Sequence, residues 1–317
     1  MADIKKGVRK YISEFTLNMA CDYIALMQQE DLQRIKDIAG DAPDFHIYII
    51  GRRPRITLDP KTLKIGDNII SGELVILIEG KQIREQFATR NMTGIQNLKI
   101  ECPYPNNEYI LRREDGEIIG GGKIALLRGT GTQYAQYLDL EVLYVGQSYG
   151  KDGKRTAANR LDAHSTLQNI YAEAIRRSPD KEIWITLCSF EPLILASFDG
   201  ITGRYGTTVE EDDAHRKKIL NNPITAQQQI NFTEAALIKY FQPQYNKDYK
   251  DTFPNPAHST YSECYEVDLN AVCVEIDTEE IRSRLWSKVI TADFHHICQF
   301  PLHSKEERMS MFEFNVF

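Results

Sequence analysis

The spacing of apolar residues changes along the chain, and each change marks a predicted element. In the first forty residues, apolar side chains recur at near-helical intervals with Lys, Glu and Gln between them. This spacing predicts a helical N-terminal segment over residues 1–43, which ends at a Gly-Asp-Ala-Pro sequence. From residue 44 to residue 117, short β-rich runs replace the pattern, for example at 45–50 and 74–78. These runs predict a β-rich module.

Residues 118–250 mix strand and helix patterns, and we predict that they form an α+β core. Two strands are expected at 123–128 and 138–145, a helix at 157–177, and a third strand at 183–188. The stretch near 190–223 is rich in Gly, Thr, Asp and Glu and is interpreted as a surface insertion. A second helix is predicted from 224 to 242, where Pro243 ends it. Residues 251–317 form a C-terminal extension with a strand at 271–276 and a short helix at 279–286.

Each of the two core helices carries charged or polar groups on its apolar face. On the first, helical spacing places Arg160 and His164 in line with Leu167, Tyr171 and Ile175. Two polar residues at a helix end, covered by a loop, would explain this pair equally well. On the second, Glu234 lies within the apolar stripe. Because burying a lone carboxylate is costly, Glu234 is either a partner in a structural ion pair or a metal ligand.

The charge of the chain restricts its possible partners. The 317 residues carry a formal net charge of −7, which counts against a protein that coats nucleic acid through its overall field. The segment 150–160 is an exception, because it holds four basic residues and one acidic residue, Asp152. No stretch has the pattern of a signal peptide or a membrane span, so we expect a cytoplasmic protein without membrane association.

Several of these residues together resemble a known family. Tyr144-Val145-Gly146, then Arg160 and His164 four residues apart, then Glu234 and finally Pro243-x-x-Asn246 resemble the motifs of the GIY-YIG endonuclease superfamily. The resemblance covers roughly residues 118–248. It implies a small antiparallel sheet flanked by helices as the fold of the core, with residues 190–223 as an insertion.

The resemblance also implies a role for each residue. Glu234 would be the sole protein ligand of a divalent metal, Mg²⁺ or Mn²⁺. Arg160 would contact the scissile phosphate. Tyr144 and His164 would position or deprotonate the attacking water, and Asn246 would brace the site. The basic residues Lys151, Lys154 and Arg155 would contact DNA.

The chain departs from the family pattern at one position. The strand expected to carry the family's first tyrosine, which is associated with activation of the nucleophile, begins Gly122-Lys123-Ile124 and contains no tyrosine. Tyr134 and Tyr137, in the loop that follows, are candidate sources of that phenol.

The resulting hypothesis is a metal-dependent DNA endonuclease of the restriction or phage-defence type, working as a homodimer if it cuts both strands. Two alternatives stay open at this point. The chain could be a degenerate nuclease fold that binds nucleic acid without cutting it. It could also be a non-enzymatic interaction protein in which Glu234 and Arg160 form a structural ion pair.

Overall fold

The computed structural model describes residues 9–35, 44–91, 93–95, 97–127, 135–149, 160–161, 164–198 and 205–313. In these residues the chain forms thirteen β-strands: β1 (Glu14–Met27), β2 (Ile47–Leu58), β3 (Lys64–Ile65), β4 (Ile69–Ile78), β5 (Lys81–Arg90), β6 (Lys99–Glu101), β7 (Glu108–Arg112), β8 (Ile118–Lys123), β9 (Leu140–Gln147), β10 (Lys181–Ser197), β11 (Ala271–Asp277), β12 (Leu285–Trp286) and β13 (His295–Pro301). The α-helices of the same residues are α1 (Ser165–Arg177), α2 (Val209–Asn221), α3 (Ala226–Phe241) and α4 (Glu263–Glu266). None of these helices combines the length and the apolar character that a membrane crossing requires.

The chain divides into two compact units. The first comprises Met1–Gly51, Val142–His164 and Ile185–Phe317, and the second comprises Arg52–Glu141 and Ser165–Trp184. The chain passes from the first unit to the second between Gly51 and Arg52, within β2. It returns between Glu141 and Val142, within β9. Residues 52–141 are therefore inserted between two strands of the first unit.

A long mixed sheet forms the centre of the first unit. Its strand order is β12-β9-β2-β10-β1-β11-β13, with β1 antiparallel to β10 and parallel to β11. Helix α3 lies against β11 and β13 and completely buries Phe232, Leu237 and Phe241. This apolar contact fixes the helix that carries Glu234 onto the sheet.

The strands of the second unit pair in two groups. β4 pairs with β3, with β5 and with Arg55–Leu58 of β2, while β6, β7 and β8 form a separate three-stranded antiparallel sheet. The interior of this unit contains the buried guanidinium of Arg53, which lies 4.0 Å from the centre of the Trp184 ring.

The predicted combination of helices and strands is found, but the sheet is not small. It contains ten strands, because β2–β5 from the β-rich segment and strands from both ends of the chain join those of the predicted core. The helix predicted for the N-terminal segment is wrong, since residues 14–27 form β1. Phe15, Leu17 and Met19 are buried at alternate positions, and β1 is enclosed by β10 and β11, so tertiary pairing decides the conformation there.

Four other predicted elements need correction. The strand predicted at 123–128 is not formed, since β8 ends at Lys123 and Ile124–Leu126 form a short 3₁₀ helix. His164 directly precedes α1 and is not helical, so one continuous helical face does not bring it to Arg160. Ile175, predicted on the apolar face of that helix, is 74% exposed. The supposed surface insertion near 190–223 contains the end of β10 and the whole of α2. The helix predicted at 279–286 is replaced by turns and the short strand β12. The helix predicted at 224–242 is confirmed as α3, and the strand at 271–276 as β11.

Candidate active site

Two tyrosines face each other on neighbouring strands of the first unit. Tyr48 lies on β2 and Tyr144 lies on β9, and their ring centres are 6.2 Å apart. Tyr48 is fully buried, whereas Tyr144 keeps part of its surface exposed. Burial raises the pKa of both phenols above their usual value. Both hydroxyl groups are therefore protonated near neutral pH.

The hydroxyl group of Tyr48 contacts both His164 and Arg160. Its oxygen is 3.0 Å from Nε2 of His164, and it accepts a hydrogen bond of 3.3 Å from Nε of Arg160. Because a guanidinium can only donate, the proton of Tyr48 goes to one of its other two partners, Nε2 of His164 or the hydroxyl oxygen of Tyr144. Burial, followed by the charge of Arg160, lowers the pKa of His164. The imidazole is thus neutral at neutral pH and able to take up a proton.

Gly146 makes this arrangement possible. A Cβ atom at this position would lie 2.5 Å from Cζ and from the hydroxyl oxygen of Tyr48, and 2.7 Å from Cε1 of Tyr144. Such distances are far shorter than van der Waals contact, so any larger side chain would displace one of the two phenols. The glycine of the Tyr-Val-Gly sequence is therefore a steric requirement for bringing the two tyrosines together.

Glu234 projects from α3 and keeps part of its side chain exposed. Burial of the carboxyl group raises its pKa to about 7. Hydrogen bonds from the side chain and the backbone of Gln147, together with the charge of Arg160, act in the opposite direction, whereas the charge of Asp248 reinforces the rise. Burial thus outweighs the favourable partners and brings the pKa of this carboxyl group close to neutral pH.

Asn246 fastens β9 from behind the site. Its Oδ1 accepts a hydrogen bond of 2.9 Å from the N–H of Val145, and its Nδ2 donates one of 2.8 Å to the carbonyl oxygen of the same residue. The adjacent Tyr245 N–H donates to the carbonyl oxygen of Leu143. Through these bonds the segment after α3 pairs with β9 at Leu143 and Val145. Because Leu143 and Val145 flank Tyr144, the bonds restrict the movement of Tyr144 and of the adjacent Gly146.

The described residues contain no cluster of three or more His, Cys, Asp or Glu side chains suited to a metal ion. A cation in this site would depend on Glu234, with water completing its coordination. Such a donor set suits Mg²⁺, which is bound through one or two carboxylates and keeps several water molecules. The partly exposed and hydrogen-bonded Glu234 carboxylate fits that requirement.

The structure brings together five of the residues singled out in the sequence, namely Tyr144, Arg160, His164, Glu234 and Asn246, all in the first unit. The predicted DNA contacts Lys151, Lys154 and Arg155 lie outside the described residues, as does Tyr134. Tyr137 belongs to the second unit, in a short 3₁₀ helix (Ala135–Leu138). Tyr48, which the sequence did not single out, supplies a phenol that contacts His164.

Sequence reasoning missed Tyr48 and Gln147. A signal for Tyr48 was present, because His46-Ile47-Tyr48 ends in the Ile-Tyr pair of the sought Gly-Ile-Tyr pattern and lies in a β-rich run. The sequence pattern nevertheless places Tyr48 in the β-rich module, because residues 52–141 separate its strand from Tyr144. Gln147 directly follows the Tyr-Val-Gly sequence, but no spacing rule distinguishes it.

Comparison of the chain with protein-family models, with curated proteins and with solved structures gives no match.

Proposed function

We propose that this protein is a metal-dependent endonuclease of the GIY-YIG type that hydrolyses phosphodiester bonds in DNA. One observation carries the proposal: Tyr48, Tyr144, Arg160, His164 and Glu234 come from separate segments of the chain and converge on one place in the first unit. A phenol, an imidazole, a guanidinium and a carboxylate in one place supply the groups that metal-assisted hydrolysis of a phosphodiester requires.

In this proposal Tyr48 and His164 activate the attacking water. The hydroxyl oxygen of Tyr48 takes a proton from the water while its own proton passes to Nε2 of His164, which becomes an imidazolium. The short distance between the two groups permits this transfer, and the lowered pKa of His164 keeps the imidazole in the neutral form that can accept the proton. The charge of Arg160, next to the same oxygen, stabilises the negative charge that develops on the phosphate. Tyr144 borders the same space and orients the phosphate.

Glu234 would hold the divalent cation, Mg²⁺ or Mn²⁺. When bound, such an ion supplies positive charge that stabilises the leaving oxygen. The orientation of the carboxylate by Gln147 and its access to water support this role. Lys151, Lys154 and Arg155 would contact the DNA, and the β-rich module of residues 44–117 would contact DNA or a partner.

A restriction or phage-defence enzyme remains our preferred biological role, and a homodimer remains the expected state for cutting both strands. A nuclease fold that has lost its activity was an alternative because the first tyrosine had no counterpart. Tyr48, whose hydroxyl group contacts His164, is our candidate for that tyrosine, so this alternative is less favoured. The structural ion pair is also less favoured, because Nε of Arg160 is directed to Tyr48.

The proposal is tested by incubating plasmid DNA with the purified protein and Mg²⁺. We expect cleavage that is lost in Glu234→Gln and in Arg160→Ala. Glu173→Gln and Arg177→Ala are matched controls, because they remove an ion pair on α1 in which Arg177 is exposed and Glu173 is partly exposed. Cleavage that persists in Glu234→Gln would contradict the proposal. Binding without cleavage by the unaltered protein would support the degenerate alternative.

A further inference from the structure

Three amide and carbonyl groups form a chain that leads to Glu234. Nδ2 of Asn231 donates to the carbonyl oxygen of Thr260 over 2.8 Å. Oδ1 of Asn231 accepts from Nε2 of Gln147 over 2.7 Å. The side chain and the backbone N–H of Gln147 in turn donate to the carboxylate of Glu234. We call this series, from Thr260 through Asn231 and Gln147, the amide relay.

The direction of every hydrogen bond in the amide relay is fixed. A backbone carbonyl group can only accept, so the NH₂ group of Asn231 must face Thr260. The oxygen of Asn231 is then turned towards Gln147, which must present its own NH₂ group. Gln147 is left in an orientation that offers donors, and never its oxygen, to Glu234. Donors are what an ionised carboxylate requires.

Burial adds to this constraint. Asn231 is buried on α3, one turn before Glu234, so its side chain has little freedom to turn over. Gln147 follows Gly146 on β9 and is only partly exposed. The amide relay therefore connects the strand that carries Tyr144 to the helix that carries Glu234, at the point where a cation would be bound.

We propose that Gln147 and Asn231 are positioning residues that hold the carboxylate of Glu234 in one orientation for a divalent cation. This inference rests on the proposed function, because it assumes that Glu234 is the metal ligand. The two residues touch neither the metal ion nor the DNA. They act through Glu234, as hydrogen-bond partners of metal ligands generally do.

The test measures the binding of Mn²⁺ alone to the intact protein, by calorimetry and by the electron paramagnetic resonance of the free ion. The variants are Gln147→Met and Asn231→Leu, which keep the approximate volume and remove the polar groups. We expect each to weaken Mn²⁺ binding by about 10- to 100-fold, while the melting temperature stays well above that of the measurement. Because Gln147→Met changes a partly exposed residue, it decides the question if Asn231→Leu does not fold.

Gln227→Met is the matched control. Nε2 of Gln227 approaches the same oxygen of Asn231 at 3.5 Å, but Gln227 lies outside the path to Glu234. We expect this variant to bind Mn²⁺ as the unaltered protein does. Glu234→Gln provides the reference in which the site is lost.

The outcomes separate the two proposals. If Glu234→Gln loses Mn²⁺ binding and Gln147→Met does not, the amide relay is overturned while the proposed metal site stands. If Mn²⁺ binding is the same with and without Glu234, the metal site and the amide relay both fail. Weaker binding in Gln147→Met and Asn231→Leu, but not in Gln227→Met, supports both.

Discussion

The hydroxyl group of Tyr48 contacts two residues of the candidate site, His164, which is the proposed base, and the guanidinium group of Arg160. We predict that Tyr48→Phe lowers the rate of DNA cleavage by about 100- to 10,000-fold, the range over which a group that transfers a proton contributes. The ring remains, so the packing between β2 and β9 persists. The free energy of unfolding should change by no more than about 1–2 kcal/mol.

Tyr240 offers a matched control for this substitution. Its hydroxyl oxygen is 3.2 Å from Nδ1 of His296, so Tyr240→Phe removes another contact between a tyrosine and a histidine. Cleavage rates measured with saturating Mg²⁺ should be nearly unchanged in Tyr240→Phe. An equal loss of activity in both variants would show that Tyr48 acts only through stability.

Glu234 carries a cost for stability that depends on pH. Burial raises its pKa from 4.5 to about 7, so the folded protein binds the proton more tightly than the unfolded chain does. The penalty is absent below the unfolded pKa, grows as the pH rises towards 7, and is complete above it. We therefore predict that Glu234→Gln is more stable than the unaltered protein at pH 8, by about 1–3 kcal/mol, and that the gain disappears near pH 5.

Denaturant unfolding without divalent metal, at pH 5 and at pH 8, measures this effect. Because the same variant should lack nuclease activity, a gain in stability with a loss of function is expected. Such a combination is typical of groups kept for chemistry at the expense of stability. If Glu234→Gln and the unaltered protein are equally stable at both pH values, ionisation of Glu234 does not destabilise the folded protein and the prediction is wrong.

At the scale of elements, the close approach of β2 and β9 depends on Gly146. We predict that Gly146→Ala destabilises the protein by about 1–3 kcal/mol, as overpacking does, and displaces Tyr48 or Tyr144 so that activity is lost. Gly120 is a strand glycine with room around it, because an added Cβ would meet only Cδ1 of Leu111 at 3.7 Å. Gly120→Ala should therefore be tolerated, as judged by thermal unfolding and cleavage assays of both variants.

The elements that could be predicted from the sequence are those in which local pattern and tertiary environment agree. Helix α3 has apolar residues at helical spacing, ends at Gln242 in a left-handed conformation and is followed by Pro243, so its limits were nearly right. β1 was not predictable, because its apolar residues satisfy both periods and its pairing partners lie at residues 185–197 and 271–275.

The sequence predicts those site residues that lie close together along the chain. Glu234 and Asn246 lie on α3 and directly after it, and Tyr144 precedes Gly146 on one strand. Tyr48 could not be joined to them, since only sheet pairing brings β2 next to β9. The cost of closing a loop rises slowly with its length, so an insertion as long as residues 52–141 does not prevent that pairing.

At the scale of the whole molecule, the first unit is closed by a buried ion-pair network far along the chain from the candidate site. Arg308 donates to both carboxylate oxygens of Glu14, at the start of β1, and from Nη1 to Asp268 over 2.8 Å. The side chains of Arg308 and Glu14 are 2% and 0% exposed. Residues near the two ends of the described chain are thus held together by the buried Arg308–Glu14 pair and by the partly exposed Asp268.

The charges of Arg308 and Glu14 are expected to affect stability and not cleavage, and two variants test this. Arg308→Met leaves the carboxylate of Glu14 buried without its cation, so we predict a loss of about 3–5 kcal/mol in the free energy of unfolding. The double variant Glu14→Gln, Arg308→Met should regain much of it, because neither partner then remains as a lone buried charge. Below their melting temperatures both variants should cleave DNA at close to the rate of the unaltered protein, since neither Glu14 nor Arg308 contacts Tyr48, Tyr144 or Glu234. A large fall in the cleavage rate of the folded double variant would mean that the closure of the first unit also controls the geometry of its site.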